Sequence, residues 1–391
     1  METTSRKYEY WVDYLRVFAC LMVFVVHSSE PFYLGGEGSL VLTSTDAFWA
    51  ALMDSLVRAC VPIFLVASSY VQFPIHYSTG EFFRRRAVRI LVPLLVWSIV
   101  YALVWGEPVQ NLKDLAFNFN GAAGHLWFVY MLLGLYLIMP LLSPWARKVG
   151  KKELLCYIGL WLFTTTIPLI RVALSPGLVT TTGPGGMVRQ ALVPLWGEAS
   201  WNSNGTFYYV SGLAGYLLVG LYFKRFVGEL SWKRTLAWAI PLYAVAFAII
   251  FGGFYHRVNL SAGGVFPVEG PIDLAIWWET TWCFDTLGVA LMTIACILLF
   301  RKCTRHSGFF YEKIVRPISK ASYGMYLIHL LVLVPVCGFY RNLLGSAEQG
   351  TLGFWTTPVE ILLSAITAYC IVAISAILVQ RIPKVGKYIM G

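Results

Sequence analysis

Charged residues are scarce in this 391-residue chain, with aspartate, glutamate, lysine and arginine together at 13%, about half of what a soluble globular protein carries. Polar linkers, low-complexity tracts and repeats of fixed period are also missing. That excludes a string of soluble modules and leaves one domain over residues 1–391. No C-x-x-C pair occurs among the eight cysteines, so neither a metal site nor a disulfide framework is expected. Seven of them lie in apolar stretches, where they read as small packing residues. The first apolar stretch has no small-x-small cleavage site and is interrupted by Arg16, so a cleaved signal peptide is not expected.

What is abundant is apolar sequence. Hydrophobic residues make up 58% of the chain and the mean hydropathy is +0.66. Repeated windows approach the ~20 apolar residues that cross a bilayer. The pattern predicts an all-α polytopic membrane protein with ten transmembrane helices, near 10–29, 47–71, 88–105, 125–143, 154–173, 206–223, 235–254, 279–300, 318–339 and 360–380. With both termini cytoplasmic, 23 of the 30 basic residues fall in the inner segments. This is the positive-inside asymmetry, and it explains the net charge of +10 as a topology signal in contact with lipid. Nucleic acid is not expected as a partner.

Two polar residues stand inside the first apolar stretch. Arg16 and His27 are eleven residues apart, which is three helical turns plus about 20°, so both leave one helix face about 16 Å apart along the axis. A cation that deep needs a partner or a cavity. The spacing predicts a buried polar passage, with His27 beside Glu30 able to act as a base on a hydroxyl. Asp13, one turn before Arg16, has the spacing of an ion pair, and Asp54 and Arg58 have that of an intrahelical pair.

A second cluster is Arg84-Arg85-Arg86-Ala-Val-Arg89 at the inner start of the third span. Four arginines over six positions suit a phosphorylated ligand, or lipid headgroups reached by snorkelling. His125-Leu-Trp127-Phe opens the fourth span at the depth of His27, placed to orient an incoming hydroxyl compound or to anchor the helix. His329 reads as a packed, hydrogen-bonding residue. Glu279 and Asp285 are acidic groups with no assigned role. The long outer segment at 174–205, with Gly-Pro-Gly-Gly at 183–186, Trp196 and Trp201, suits a lid or an interfacial belt.

Taken together these residues resemble the membrane-bound acyltransferase-3 family. Its first-helix pattern appears as Asp13-Tyr-Leu-Arg16 … His27, its R-x-x-R element as Arg86-Ala-Val-Arg89, followed by His125-Leu-Trp-Phe-Val and Ser322-Tyr-Gly-Met-Tyr-Leu-Ile-His329. Thr206-Phe-Tyr-Tyr and the opening Tyr10-Trp-Val-Asp resemble the branch that O-acetylates bacterial surface glycans such as the enterobacterial common antigen. The chain departs from the family at Val17, where a glycine is usual, and at Ser68-Ser69, where the family has Ser-Gly.

The resemblance implies an integral O-acyltransferase of a bacterial inner membrane. Acetyl-CoA would be the cytoplasmic donor and a carbohydrate or glycolipid hydroxyl the acceptor on the far side. Arg16, Arg85, Arg86 and Arg89 would hold the donor. His27 would be the base or acyl relay with Arg16 and Glu30, while Asp13, His125 and Trp127 would face the acceptor. From the residues alone, a transporter or flippase for a glycolipid or small anion uses buried charges equally well.

Overall fold

The computed structural model describes residues 8–32, 40–41, 44–115, 121–174, 180–182, 188–190, 195–198, 204–255, 270–271, 281–345 and 350–391. Glu279, the Gly-Pro-Gly-Gly segment and Trp201 lie outside the described residues.

Helices dominate, in the order α1 Tyr10–Ser29, α2 Ser44–Val57, α3 Cys60–Gln72, α4 Thr79–Arg86, α5 Val92–Val104, α6 Pro108–Asp114, α7 Trp127–Lys148, α8 Lys151–Thr164, α9 Ile167–Leu174, α10 Gly215–Phe226, α11 Trp232–Phe247, α12 Leu287–Phe300, α13 Arg316–Leu344, α14 Thr356–Gln380 and α15 Gly386–Ile389. The described strands form two small antiparallel ribbons, Leu40–Val41 against Gly270–Pro271 and Thr180–Thr182 against Val188–Gln190.

Eight helical stretches among the described residues are long and apolar enough to cross a membrane, so the chain is a polytopic membrane protein. They coincide with eight of the ten expected windows. The other two are broken up. Over 206–223, Gly205 and Gly212 hold positive φ (51° and 73°), a conformation glycine adopts at no steric cost. Short 3₁₀ turns fill the gap, and α-helix begins only at Gly215. In the eighth window helix begins at Leu287, after a turn in which the Thr286 amide donates to the Cys283 carbonyl at 3.1 Å.

Proline shapes the basic end of the bundle. α4 starts at Ser78, whose hydroxyl accepts the Glu81 amide, and runs through a π-helical turn, Ala87–Leu91, into α5. The same device, Tyr311–Val315, leads into α13. Each π turn ends two residues before a proline, Pro93 and Pro317. Proline offers no amide to the carbonyl four residues back, and the preceding amide bonds five residues back instead: Val92 to Ala87 and Arg316 to Tyr311. The first widened turn supplies Val88, Arg89 and Ile90 to the lining of the cavity described below.

α1 is the centre of the bundle, packed against α2, α3, α12, α13 and α14. The close approach of the helices needs small residues, as lipid-embedded packing generally does. A Cβ on Gly220 of α10 would lie 2.6 Å from the Cβ of Ser69 on α3, and the Ser69 hydroxyl donates to the Leu217 carbonyl at 2.6 Å. The glycine that relieves this crossing therefore stands on the partner helix, opposite the Ser68-Ser69 departure.

Arg58 breaks the helix between α2 and α3 and is fully buried with Asp54. One guanidinium nitrogen meets both Asp54 carboxylate oxygens at 2.8 and 3.0 Å, and Nε donates to the Trp282 carbonyl at 2.9 Å. The rings of Trp282 and Phe284 lie 5.1 and 4.9 Å from the guanidinium carbon. The i,i+4 pair read from sequence is thus a buried ion pair that ties the second span to the 281–286 turn.

Candidate active site

A cavity of about 900 Å³ opens at the basic end, between α1, α3, α4, the π-helical turn Ala87–Leu91, α7, α13, the end of α14 and the chain's last residues. Seven cations line it, Arg16, Arg84, Arg85, Arg86, Arg89, Lys320 and Lys387, and among the described residues no aspartate or glutamate side chain does. Glu81 pairs with Arg85 from outside the lining. Arg86 lies over the rings of Phe82 and Tyr136, 5.2 Å from each, with its buried Nε unpartnered. The side chains of Arg16, Arg84, Arg89 and Lys320 make no hydrogen bond or ion pair among the described residues. Five of the seven, Arg84, Arg85, Arg89, Lys320 and Lys387, are exposed; positive charge gathered around one space attracts an anion, and guanidinium forks favour phosphate.

Higher up, the lining turns apolar and aromatic: Val23, Val61, Phe64, Phe128, Leu132 and Tyr326. Phe128 and Tyr326 meet edge to face at 5.4 Å, and the Tyr326 hydroxyl donates to the His125 carbonyl. These contacts wall off the cavity at Val23 and Tyr326.

One helical turn beyond that wall stand three imidazoles. His27 follows Val23 on α1 by about 6 Å, and His329 follows Tyr326 on α13. His27 Nδ1 is 2.7 Å from Glu30 Oε2, both side chains being partly exposed. The His27 and His329 rings are 4.9 Å apart between centroids, tilted by 45°. His125 stands edge-on to His329 at 5.0 Å and packs on Tyr101 at 4.8 Å. His329 Nδ1 donates to the Tyr326 carbonyl at 2.6 Å. His329 Nε2 and both His125 nitrogens are buried without hydrogen-bond partners.

The expected residues therefore fall into separate places. Arg16, Arg85, Arg86 and Arg89 share the cavity. His27, Glu30 and His125 gather beyond its wall. Arg16 and His27 leave one face of α1, but the open space between them ends a turn short of His27. Asp13 stands apart from the imidazoles: it lies about 21 Å from His27 along α1, buried, and accepts from Tyr8, Tyr311 and Ser319 hydroxyls at 2.9, 2.7 and 2.6 Å. With these donors it braces α1 against α13, and it forms no ion pair with Arg16. Trp127 also leaves the imidazoles: it stacks on Phe284 at 5.6 Å and extends the aromatic cluster around Arg58. Asp285 sits in the turn before α12.

Sequence reasoning missed three groups at the site. Lys320 and Lys387 read only as inner-face topology signals, yet both line the cavity. His329 read as a packing residue. Its neighbour in space, His27, is 302 positions away, and no local pattern links them. Among the described residues, no group of three or more His, Cys, Asp or Glu side chains is arranged to hold a metal ion.

Comparison with known proteins adds one result. The sequence profile of the acyltransferase-3 family, an acyltransferase domain, matches residues 9–379. No curated protein and no solved structure matches the chain. With nearly its whole length matched, the chain belongs to the acyltransferase-3 family and is a membrane acyltransferase.

Proposed function

We propose that the protein moves an acetyl group from acetyl-CoA, bound from the cytoplasm, to a hydroxyl of a carbohydrate or glycolipid on the far side of a bacterial inner membrane. A surface glycan of the enterobacterial common antigen kind fits the sequence resemblance. The observation that carries the reading is a cavity lined by seven cations and, among the described residues, no aspartate or glutamate side chain, ending one helical turn from a histidine held by a glutamate. The phosphates of an acyl-CoA match the wide basic mouth. The thioester arm, slender and mostly apolar, matches the narrower upper lining of Val23, Val61, Phe64 and Leu132.

In this reading Arg84, Arg86 and Arg89 grip phosphate bidentately, with Arg16, Lys320 and Lys387 adding charge. The thioester reaches His27 when the Phe128–Tyr326 wall parts. His27 keeps Nδ1 on Glu30, which fixes the tautomer and leaves Nε2 to take the proton of the acceptor hydroxyl. The hydroxyl oxygen attacks the thioester carbonyl, the carbon–sulfur bond breaks, and the thiolate recovers the proton from His27.

The test is membrane vesicles carrying the protein, supplied with radiolabelled acetyl-CoA. Label recovered in glycan or glycolipid, and lost in His27→Ala, is expected. Intact thioester with no label transferred contradicts the reading and favours movement of an anion across the membrane.

A further inference from the structure

Next to His27 the structure leaves a lone pair without a donor. His329 is fully buried, and its Nδ1 lies 2.6 Å from the Tyr326 carbonyl oxygen. A carbonyl can only accept, so Nδ1 carries the ring proton and Nε2 presents a bare lone pair. That Nε2 has no partner. Burying an acceptor in this way costs stability unless some state of the protein satisfies it. Around the ring lie Phe24 at 5.6 Å, Tyr326 at 5.7 Å, His125 at 5.0 Å and His27 at 4.9 Å between centroids. Tyr326 has given its hydroxyl proton to the His125 carbonyl, and His125 makes no hydrogen bond to His329. His125 also carries a ring N–H, and of the two neighbouring imidazoles His27 is the one that gains a proton in the transfer proposed above.

His27 has its own asymmetry. Nδ1 is committed to Glu30 at 2.7 Å, so a proton arriving on the ring arrives at Nε2. We infer that His329 is a positioning residue for His27, offering its Nε2 lone pair to the Nε2–H that His27 gains during turnover. The inference rests on the acyl-transfer reading above.

The step balances without a further reagent. The acceptor oxygen forms its bond to the thioester carbonyl carbon as its proton passes to His27 Nε2. The carbon–sulfur bond breaks with its electron pair on sulfur. The resulting imidazolium is held by the Glu30 carboxylate at one nitrogen and by the His329 lone pair at the other. It then returns the proton to the thiolate, giving ester and free thiol. The bond from His27 to His329 exists only while His27 carries the proton. It therefore favours the transition state over the ground state and acts on turnover more than on binding.

The experiment compares wild type, His329→Leu and His329→Gln as full-length protein in membrane vesicles. Transfer of radiolabelled acetyl-CoA to endogenous glycan gives turnover, and equilibrium binding of coenzyme A gives donor affinity. Glutamine can return an acceptor oxygen near the Nε2 position, whereas leucine cannot. The expected result is a fall in turnover of about tenfold to a hundredfold for His329→Leu, the range for a charge-assisted hydrogen bond, at unchanged coenzyme A affinity. His329→Gln should stay within about threefold of wild type. Wild-type turnover in His329→Leu overturns the inference, as does an equal loss in His329→Gln, since a missing acceptor then explains nothing. Should the leucine variant fail to accumulate, His329→Gln decides alone: retained turnover supports the role and lost turnover refutes it. A wild type that transfers no label instead sinks the acyl-transfer reading, and this inference with it.

Discussion

Two populations of cations crowd the basic end of the bundle, and they are used in opposite ways. In the first, each charge is spent on a neighbouring carbonyl. Arg147 donates to Ile75 at 2.6 Å, Lys224 to Phe73 at 2.7 Å, Arg225 to Ala146 at 2.8 Å, Arg301 to Val227 at 2.7 Å and Lys302 to Leu230 at 2.7 Å. Phe73, Val227 and Ala146 belong to chain at the ends of α3, α10 and α7. Carbonyls there lack helical partners and carry the negative end of the dipole, so a cation satisfies both. In the second population, Arg16, Arg84, Arg89 and Lys320 face one cavity and meet neither carbonyl nor carboxylate among the described residues. The same residue types, on the same side, serve as helix caps in one place and line a cavity in the other. Positive-inside counting sees only their sum.

Substitutions separate the two populations. The largest effect is expected where the chemistry is removed and the cradle kept: His27→Ala should cut glycan labelling by about a hundredfold or more, the scale of a lost acid–base group, with coenzyme A affinity intact by equilibrium binding. Next comes the buried pair that belongs to neither population. Asp54→Ala leaves Arg58 buried without its carboxylate and should cost about 3–5 kcal/mol of stability, read as a lower unfolding midpoint in detergent. Arg89→Ala should weaken coenzyme A binding by about tenfold to a hundredfold, one charge-assisted contact, and leave the midpoint in place. Arg225→Ala should do the reverse, lowering stability by about 1–3 kcal/mol while donor affinity stays as in wild type. An Arg225→Ala variant that loses donor affinity, or an Arg89→Ala variant that unfolds early, would erase the distinction.

Much of this architecture is written locally. α1 is legible because its apolar run is long and Arg16 and His27 have the spacing of one helix face. The Asp54–Arg58 pair follows from i,i+4 spacing, and the arginine cluster from its density. What fails to show is anything that depends on packing between distant elements. His329 joins His27 only because α13 lies along α1. Asp13 was read with Arg16, its neighbour in sequence, but its partners Tyr311 and Ser319 come from about 300 residues away. The window at 206–223 has the hydropathy of a span, and hydropathy does not register a backbone held at positive φ by Gly205 and Gly212. Lys320 and Lys387 look no different in sequence from Arg301 and Lys302, since topology and ligand binding draw on the same side chains at the same end.

The central claim is that the uncompensated cations form a site for the phosphates of an acyl-CoA. Equilibrium binding of coenzyme A to wild type, the Arg86→Ala/Arg89→Ala double variant and Arg225→Ala tests it most directly. The account predicts saturable binding by wild type and Arg225→Ala, weakened by about a hundredfold or more in the double variant. Equal binding by all three proteins, or none by wild type, would contradict it.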